Sequence, residues 1–210
     1  MQPTFAPWMG YFELMAKTDL FIFLDDVEYS HQSWQSRNWF CQNDKPVLFT
    51  VPVKKPKIRA RICDKTLSNP IFHQSKFIKR LNQMYRSSIN LERYSMVLKT
   101  YFDETFEDLA SKNIYLLERL SEDLGVSVQS IRASKIPVYG SKSDYINSLL
   151  EYVGAEEYLA TEGSSKYMRE YGLDKFVCKV EFFDYPLSKN SQNFAEHSNN
   201  FSAMHHILSD

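Results

Sequence analysis

Near the amino end the hydrophobic positions are short and dense. Leu20-Phe21-Ile22-Phe23-Leu24 is an unbroken apolar run of strand length, which predicts a strand buried on both faces, and it stops abruptly at Asp25-Asp26. Ahead of it Pro3 and Pro7 keep the backbone extended, and a short helix is predicted over 8–17 with Phe12 and Met15 turned inward. From 27 to 43 the pattern is irregular and polar. A second strand follows over 47–53, closed by the basic loop Lys54-Lys55-Pro56-Lys57. The connection between the two strands is longer than structural loops usually are, which points to a functional segment.

The middle third has helical period. Phe77, Ile78, Leu81, Met84 and Tyr85 recur at three- and four-residue spacing over 75–86, and the same period returns over 92–102 and 106–124. This reads as a helical insertion spanning about 72–124, available as a lid or a dimer surface. Gly125 ends it, and the remainder alternates strand and helix over 126–131, 142–153, 157–161, 164–171 and 176–185. Such alternation predicts an α/β fold, a mostly parallel, Rossmann-like sheet with helices on its faces. No internal repeat or linker divides the chain, so residues 1–210 are expected to form a single domain.

Composition narrows the function classes. The 25 basic and 26 acidic side chains nearly cancel, which removes any global field toward nucleic acid or an anionic membrane. No apolar stretch approaches the roughly 20 residues that span a bilayer, and no basic segment with an apolar run opens the chain, so the expected location is cytoplasmic. Cys41, Cys63 and Cys178 lack disulfide or zinc spacing, which fits a reducing compartment.

Candidate chemistry concentrates in the first 38 residues, where Gln2, Trp8, Tyr11, His31, Trp34, Arg37 and Asn38 crowd around the apolar strand. Asp25 and Asp26 can bind a divalent metal or supply a general base, and turn chemistry explains them equally well. In Ser33-Trp34-Gln35-Ser36-Arg37-Asn38, a helical turn would put Trp34, Arg37 and Asn38 on one face, suited to a sugar or nucleotide. The alternative is a surface indole covered by its own arginine. Thr161-Glu162-Gly163-Ser164-Ser165-Lys166 joins a predicted strand to a predicted helix, which is anion-binding geometry and also ordinary helix capping. In a parallel sheet Gly163, Ser164, Ser165 and Lys166 would open at the same edge as Asp25-Asp26, and Ser134-Lys135 and the segment from Gly140 would share that rim.

The motifs Gln2-Pro3-Thr4-Phe5, Pro7-Trp8-x-Gly10-Tyr11-Phe12, Phe23-Leu24-Asp25-Asp26-Val27, Ser33-Trp34-Gln35-x-Arg37-Asn38 and Thr50-Val51-Pro52-Val53 resemble the WbqC-like family. The resemblance continues through Gly154-Ala155-x-x-Tyr158-Leu159, Gly163 with Tyr167, residues 182–185 and Phe201-Ser202. Members are typically encoded among bacterial genes for O-antigen and other surface polysaccharides, which implies sugar metabolism. They usually carry an apolar first strand ahead of the Gln-Pro pair and extend past the Phe-Ser helix, so both edges of this fold are expected to be short. Trp8-x-Gly10-Tyr11 is also similar in place to the His-x-Gly-His motif of nucleotidylyltransferases, with both imidazoles replaced.

Together these imply an enzyme acting on a nucleotide-linked sugar, with acyl or aminoacyl transfer to a sugar amine as the expected reaction and an acyl or aminoacyl donor as its second substrate. In that reading Arg37 and the 164–166 loop hold the diphosphate, Trp34 stacks, Asn38 orients the sugar, and Asp25 or Asp26 takes the proton. Two other readings stand beside it. One is a non-catalytic sugar-nucleotide or glycan-binding partner, the other a nucleotidyltransferase-like enzyme; homo-oligomerisation is compatible with all three.

Overall fold

The computed structural model describes residues 1–55, 59–185 and 201–209. After an extended amino-terminal segment, α1 (Met9–Ala16) leads into β1 (Leu20–Phe23), then the hairpin β2 (Arg37–Gln42) and β3 (Lys45–Thr50). Three helices follow, α2 (Pro70–Met84), α3 (Leu91–Phe102) and α4 (Leu109–Asp123). The rest alternates: β4 (Gln129–Arg132), α5 (Lys142–Val153), β5 (Glu157–Thr161), α6 (Ser165–Tyr171) and β6 (Lys179–Phe183), with α7 (Ala203–Ser209) last.

The protein is mixed α/β, and its strands form three separate pairs among the described residues. β1 lies parallel to β4, β5 lies parallel to β6, and β2 with β3 is antiparallel. The single, mostly parallel Rossmann-like sheet expected from the alternation is not formed among the described residues: its strands stand as two separate parallel pairs, and residues of β1 and β5 line one cleft. The hairpin corrects the irregular reading of 27–43. Asn43 and Asp44 both take positive φ, 50° and 56°, which is the backbone of a tight two-residue hairpin turn. Asn38 and Phe40 face inward on β2 while Arg37 and Trp39 do not, so a polar side chain on the buried face hides the period of two.

The helical middle third is built into the main core. Leu81 of α2, Tyr94 and Leu98 of α3 and Leu116 and Leu120 of α4 are enclosed with Phe5, Tyr11, Phe12 and Phe23 from the amino-terminal segment. Each such side chain contributes roughly 1.5–3 kcal/mol of apolar burial. The sequence supplies matching boundaries, since Pro70 opens α2, Asp108 caps α4 through the Ser111 N–H at 2.8 Å, and Gly154 closes α5 at φ 65°.

A set of side-chain amides ties these parts together below the surface. Asn113 of α4 donates to the Pro3 carbonyl at 3.0 Å and the Gln35 carbonyl at 2.8 Å, and accepts from Tyr101 at 2.9 Å. Asn38 donates to the Ala6 carbonyl at 2.8 Å and accepts from the Trp39 N–H at 2.8 Å. These bonds satisfy buried backbone groups of the extended amino-terminal segment (Pro3, Ala6), of the turn before β2 (Gln35) and of β2 itself (Trp39), which is why amides appear inside an apolar core.

Candidate active site

β1 and β4 run parallel, so both end at one edge, and the residues just past them meet. Asp25 is fully buried there. One of its oxygens accepts from Arg132 Nε at 2.6 Å and Ser134 Oγ at 2.7 Å, and the other accepts from the Ser134 N–H at 2.9 Å. Arg132 continues to Ser111 Oγ at 2.8 Å and to Asp108 at 3.6 Å, which anchors the strand ends to the first turn of α4. Buried and spoken for by charge-assisted bonds, Asp25 holds the edge together and has no oxygen free to act as a base.

Asp26 differs. One carboxylate oxygen accepts from the hydroxyl of Tyr145 on α5; the other is shut from water with no hydrogen-bond partner among the described residues. Burial and the Asp26 carboxylate hold the Tyr145 hydroxyl well above the usual tyrosine range, so it remains a donor. Facing this point is the turn Ile62–Asp64. Arg61 pairs with Asp64 at 2.8 Å and 3.0 Å, and that bond, with Cys63, Asp64 and Asp26 around it, raises the guanidinium further. Burial pushes the Cys63 thiol up to about 11 despite Arg61, and Asp64, Asp25 and Asp108 add to the rise. A carboxylate oxygen denied both water and a donor is disfavoured by roughly 1–3 kcal/mol, and a ligand ammonium or hydroxyl would relieve it.

The donors do not fit a divalent metal at Asp25-Asp26. Arg132 neutralises Asp25, and no group of three histidine, cysteine or carboxylate side chains converges among the described residues.

The other expected site residues divide between structure and surface. Trp34, Arg37 and Asn38 do not share a helical face: Arg37 and Asn38 are successive residues of β2, pointing to opposite sides, and Trp34 lies in the turn before it, half exposed. Asn38 belongs to the amide set and has no capacity left for a sugar. His31 is exposed in a turn, with no bond to the acids. Trp8 lies against its own helix start. A Cβ on Gly10 would stand 2.0 Å from the indole, so the Trp-x-Gly spacing is a packing requirement, and the other side of the ring system meets Tyr185 edge-on at 4.7 Å. Tyr11 is enclosed and donates to the Gln2 carbonyl at 3.1 Å.

At the end of β5, Ser164 donates to the Thr161 carbonyl at 2.6 Å and Ser165 to the Glu162 carboxylate at 3.0 Å. Those hydroxyls are engaged, and Glu162 brings negative charge to a loop expected to hold phosphate, while Gly163 and Lys166 are exposed. Gln2 and Ser164 do meet, as walls of the cleft between β1 and β5, about 1130 Å³ in volume. Gln2 also accepts from Gln35 at 2.8 Å, which ties the turn before β2 to one of the residues that line the cleft. Ser134 is on the rim as anticipated. Arg61, Cys63, Arg132 and Tyr145 were not legible as site residues; the one local signal was the Arg61-x-x-Asp64 spacing, which favours a pair across a turn. His197, Pro56 and Lys57 lie outside the described residues.

No helix among the described residues is long and apolar enough to cross a membrane. The chain is similar to the uncharacterized protein Rv1507c of Mycobacterium tuberculosis, with 25% identity over 187 residues, covering 88% of this chain and 80% of that protein. No solved structure matches it. The sequence profile of the WbqC-like protein family matches residues 2–209, from the Gln-Pro pair to α7, and the chain belongs to that family.

Proposed function

We propose that this protein is a cytoplasmic enzyme of surface-polysaccharide assembly that acts on a nucleotide-linked sugar and transfers an acyl or aminoacyl group to a sugar amine. The observation that carries the reading is the Asp26 oxygen buried without a donor at the shared exit of β1 and β4. An amine bound there meets a carboxylate fixed by Tyr145 on its other oxygen and flanked by Arg61. After shedding one proton to solvent, the amine attacks the acyl carbon. The C–N bond forms, the bond to the leaving group breaks with its electron pair, and the second nitrogen proton passes to Asp26. Asp25, locked to Arg132 and Ser134, positions that carboxylate. Trp34, an exposed indole, and Arg37, a guanidinium without a partner among the described residues, are assigned to the nucleotide by their chemistry, a stacking surface and a fork for phosphate.

In this reading β4-β1 and β5-β6 are the two halves of one doubly wound layer, and the substrate lies across the ends of its strands. The nucleotidyltransferase-like alternative is less well supported, because the Trp8 ring occupies the turn that such a site would need. A thermal-shift screen of nucleotide sugars, acyl donors and nucleoside triphosphates is the first test. With a substrate pair in hand, Asp26→Asn should lower turnover by about 10²–10⁴ while changing affinity less than about threefold and stability by under about 0.5 kcal/mol. An unchanged rate removes Asp26 from the chemistry, and binding without any turnover by the parent protein would favour the non-catalytic partner reading.

A further inference from the structure

Between Asp64 and Glu92 the chain carries basic side chains and no acidic one, although its totals of 25 and 26 nearly cancel. Lys65 is buried, Lys76, Lys79 and Arg80 belong to α2, and Arg86 follows it. The same two helices show large apolar groups to water. Ile71 is 72% exposed and Phe72 56%, both in the first turn of α2, and Met96 of α3 is 60% exposed. Single exposed apolar residues are ordinary, but a group of them interleaved with amines marks an interaction surface.

α2 and α3 lie side by side, with Gln74 Nε2 donating to the Lys99 carbonyl at 3.0 Å and the Ser95 hydroxyl to Asn82 at 3.3 Å. Phe77 and Leu81 turn the other side of α2 into the core, so Phe72, Lys76, Lys79 and Gln83, at four- and three-residue spacing, form one outward row. Lys79 and Lys99 line the same open groove between the helices, and Met96 stands one turn from Lys99. Lys76 Nζ lies 4.2 Å from the centre of the Phe72 ring. Arg80 turns away to the hairpin, its guanidinium 4.9 Å from the centre of the Phe49 ring. The acids next in sequence are Glu92 in the first turn of α3 and Asp103-Glu104 past its end.

The groove decides the kind of partner. Apart from Ile78 its lining is polar, Gln74, Ser75, Asn82 and Gln83 with the two lysines. A partner helix is held by an apolar groove, which this is not. Lipid phosphates suit amines, amides and a hydroxyl, and the acyl boundary beneath them takes scattered apolar side chains without a shaped pocket. Lysines beside the inserted groups keep their amines at headgroup level while their stems lie along the apolar layer. The amino end of α2, with no acid in its first turn, adds partial positive charge beside Ile71 and Phe72.

We infer that the outer face of α2 and α3 is a membrane-docking surface, resting on a bilayer of anionic lipids with Ile71, Phe72 and Met96 entering the headgroup–acyl boundary and Lys76, Lys79 and Lys99 paired with lipid phosphates. This attachment is peripheral, needs no spanning helix, and does not depend on the reaction proposed at Asp26.

The test is flotation of the 210-residue protein with vesicles of phosphatidylcholine, alone or mixed with phosphatidylglycerol. Binding is expected only with the anionic vesicles, weakening at least about tenfold between about 0.05 M and about 0.5 M salt. Lys76→Glu combined with Lys79→Glu should lower it about thirtyfold or more, and Phe72→Ser about tenfold. All three side chains are exposed, so Tm is expected to stay within about 2 °C of the parent's, and Lys99→Glu and Met96→Ser repeat the comparison on α3. With brominated lipids the Phe72→Trp form should lose more tryptophan fluorescence than the parent, which reports entry of that side chain. No binding to the phosphatidylglycerol vesicles, or binding that charge reversal leaves intact, would overturn the proposal. So would binding without extra quenching of the Phe72→Trp form, because the apolar row would then lie outside the bilayer. Capture of a poly-glutamate peptide with no vesicle binding would make an acidic protein the partner instead.

Discussion

Polar side chains go below the surface in two places, and the two are built differently. In the amide set, Asn38 and Asn113 are neutral, bonded through both their oxygen and their nitrogen, and aimed at the backbone carbonyls of Pro3, Ala6 and Gln35. At the acidic edge, Asp25 is equally enclosed and equally bonded, yet its neighbour Asp26 keeps one oxygen without a donor. A buried polar group that is satisfied specifies the fold; one that is unsatisfied at a strand exit, beside a fixed tyrosine and an arginine, is the place to look for a ligand. The motif-rich first 38 residues thus contain both a structural region and the region proposed for the chemistry.

The amide set should show the larger cost when cut. Asn113→Ala removes two donors from buried carbonyls and leaves the enclosed Tyr101 hydroxyl without its acceptor, so a loss of about 4 kcal/mol in urea unfolding is expected. A loss under about 1 kcal/mol would mean that these carbonyls are satisfied in some other way and that the contrast is false. Asp25→Ala comes next, at about 3 kcal/mol, because Arg132 retains Ser111 and Asp108 when its main partner is gone. Asp25→Ala costing no more than an average surface substitution would erase the distinction between the two aspartates.

The sequence made part of this visible. β1, α5 and β5 are legible because their apolar runs or periods are uninterrupted and their ends carry strong signals, such as Asp25-Asp26 or Gly154. β2 is not, because Asn38 takes a core-facing position and breaks the alternation that marks a half-buried strand. The same residue was a candidate sugar ligand for a good reason, as an amide in a dense motif, and only its bonds to the Phe5 and Ala6 carbonyls reveal a fold-fixing role. At the acidic edge, Asp25 and Asp26 were identifiable by position, but Arg132 and Tyr145 lie 107 and 119 residues from their partners, a separation that local pattern does not encode.

Cys63 gives the finest measure of the acidic edge, since its thiol reads first the burial of the turn and then the charges around it. Burial pushes it up to about 11, Arg61 opposes the rise, and Asp64, Asp25 and Asp108 reinforce it. A folded value above the thiol's ordinary 9.0 means that the native protein holds this proton more tightly than the unfolded chain does. Its contribution to stability is complete below pH 9 and fades as pH rises through 11. At pH 8 the thiolate fraction should be about a hundredfold below that of an ordinary cysteine, so iodoacetamide should label Cys63 slowly, gaining about tenfold per pH unit up to about 11. Arg61→Ala should slow labelling a further few-fold, and Asp64→Asn should speed it. If Cys63 reacts at pH 8 as fast as free cysteine, the turn that faces the acids is open to water and lacks the burial that chiefly raises its thiol. An edge open to water at that turn would weaken the contrast with the enclosed amide set, because water could then reach the Asp26 oxygen that the fold keeps dry.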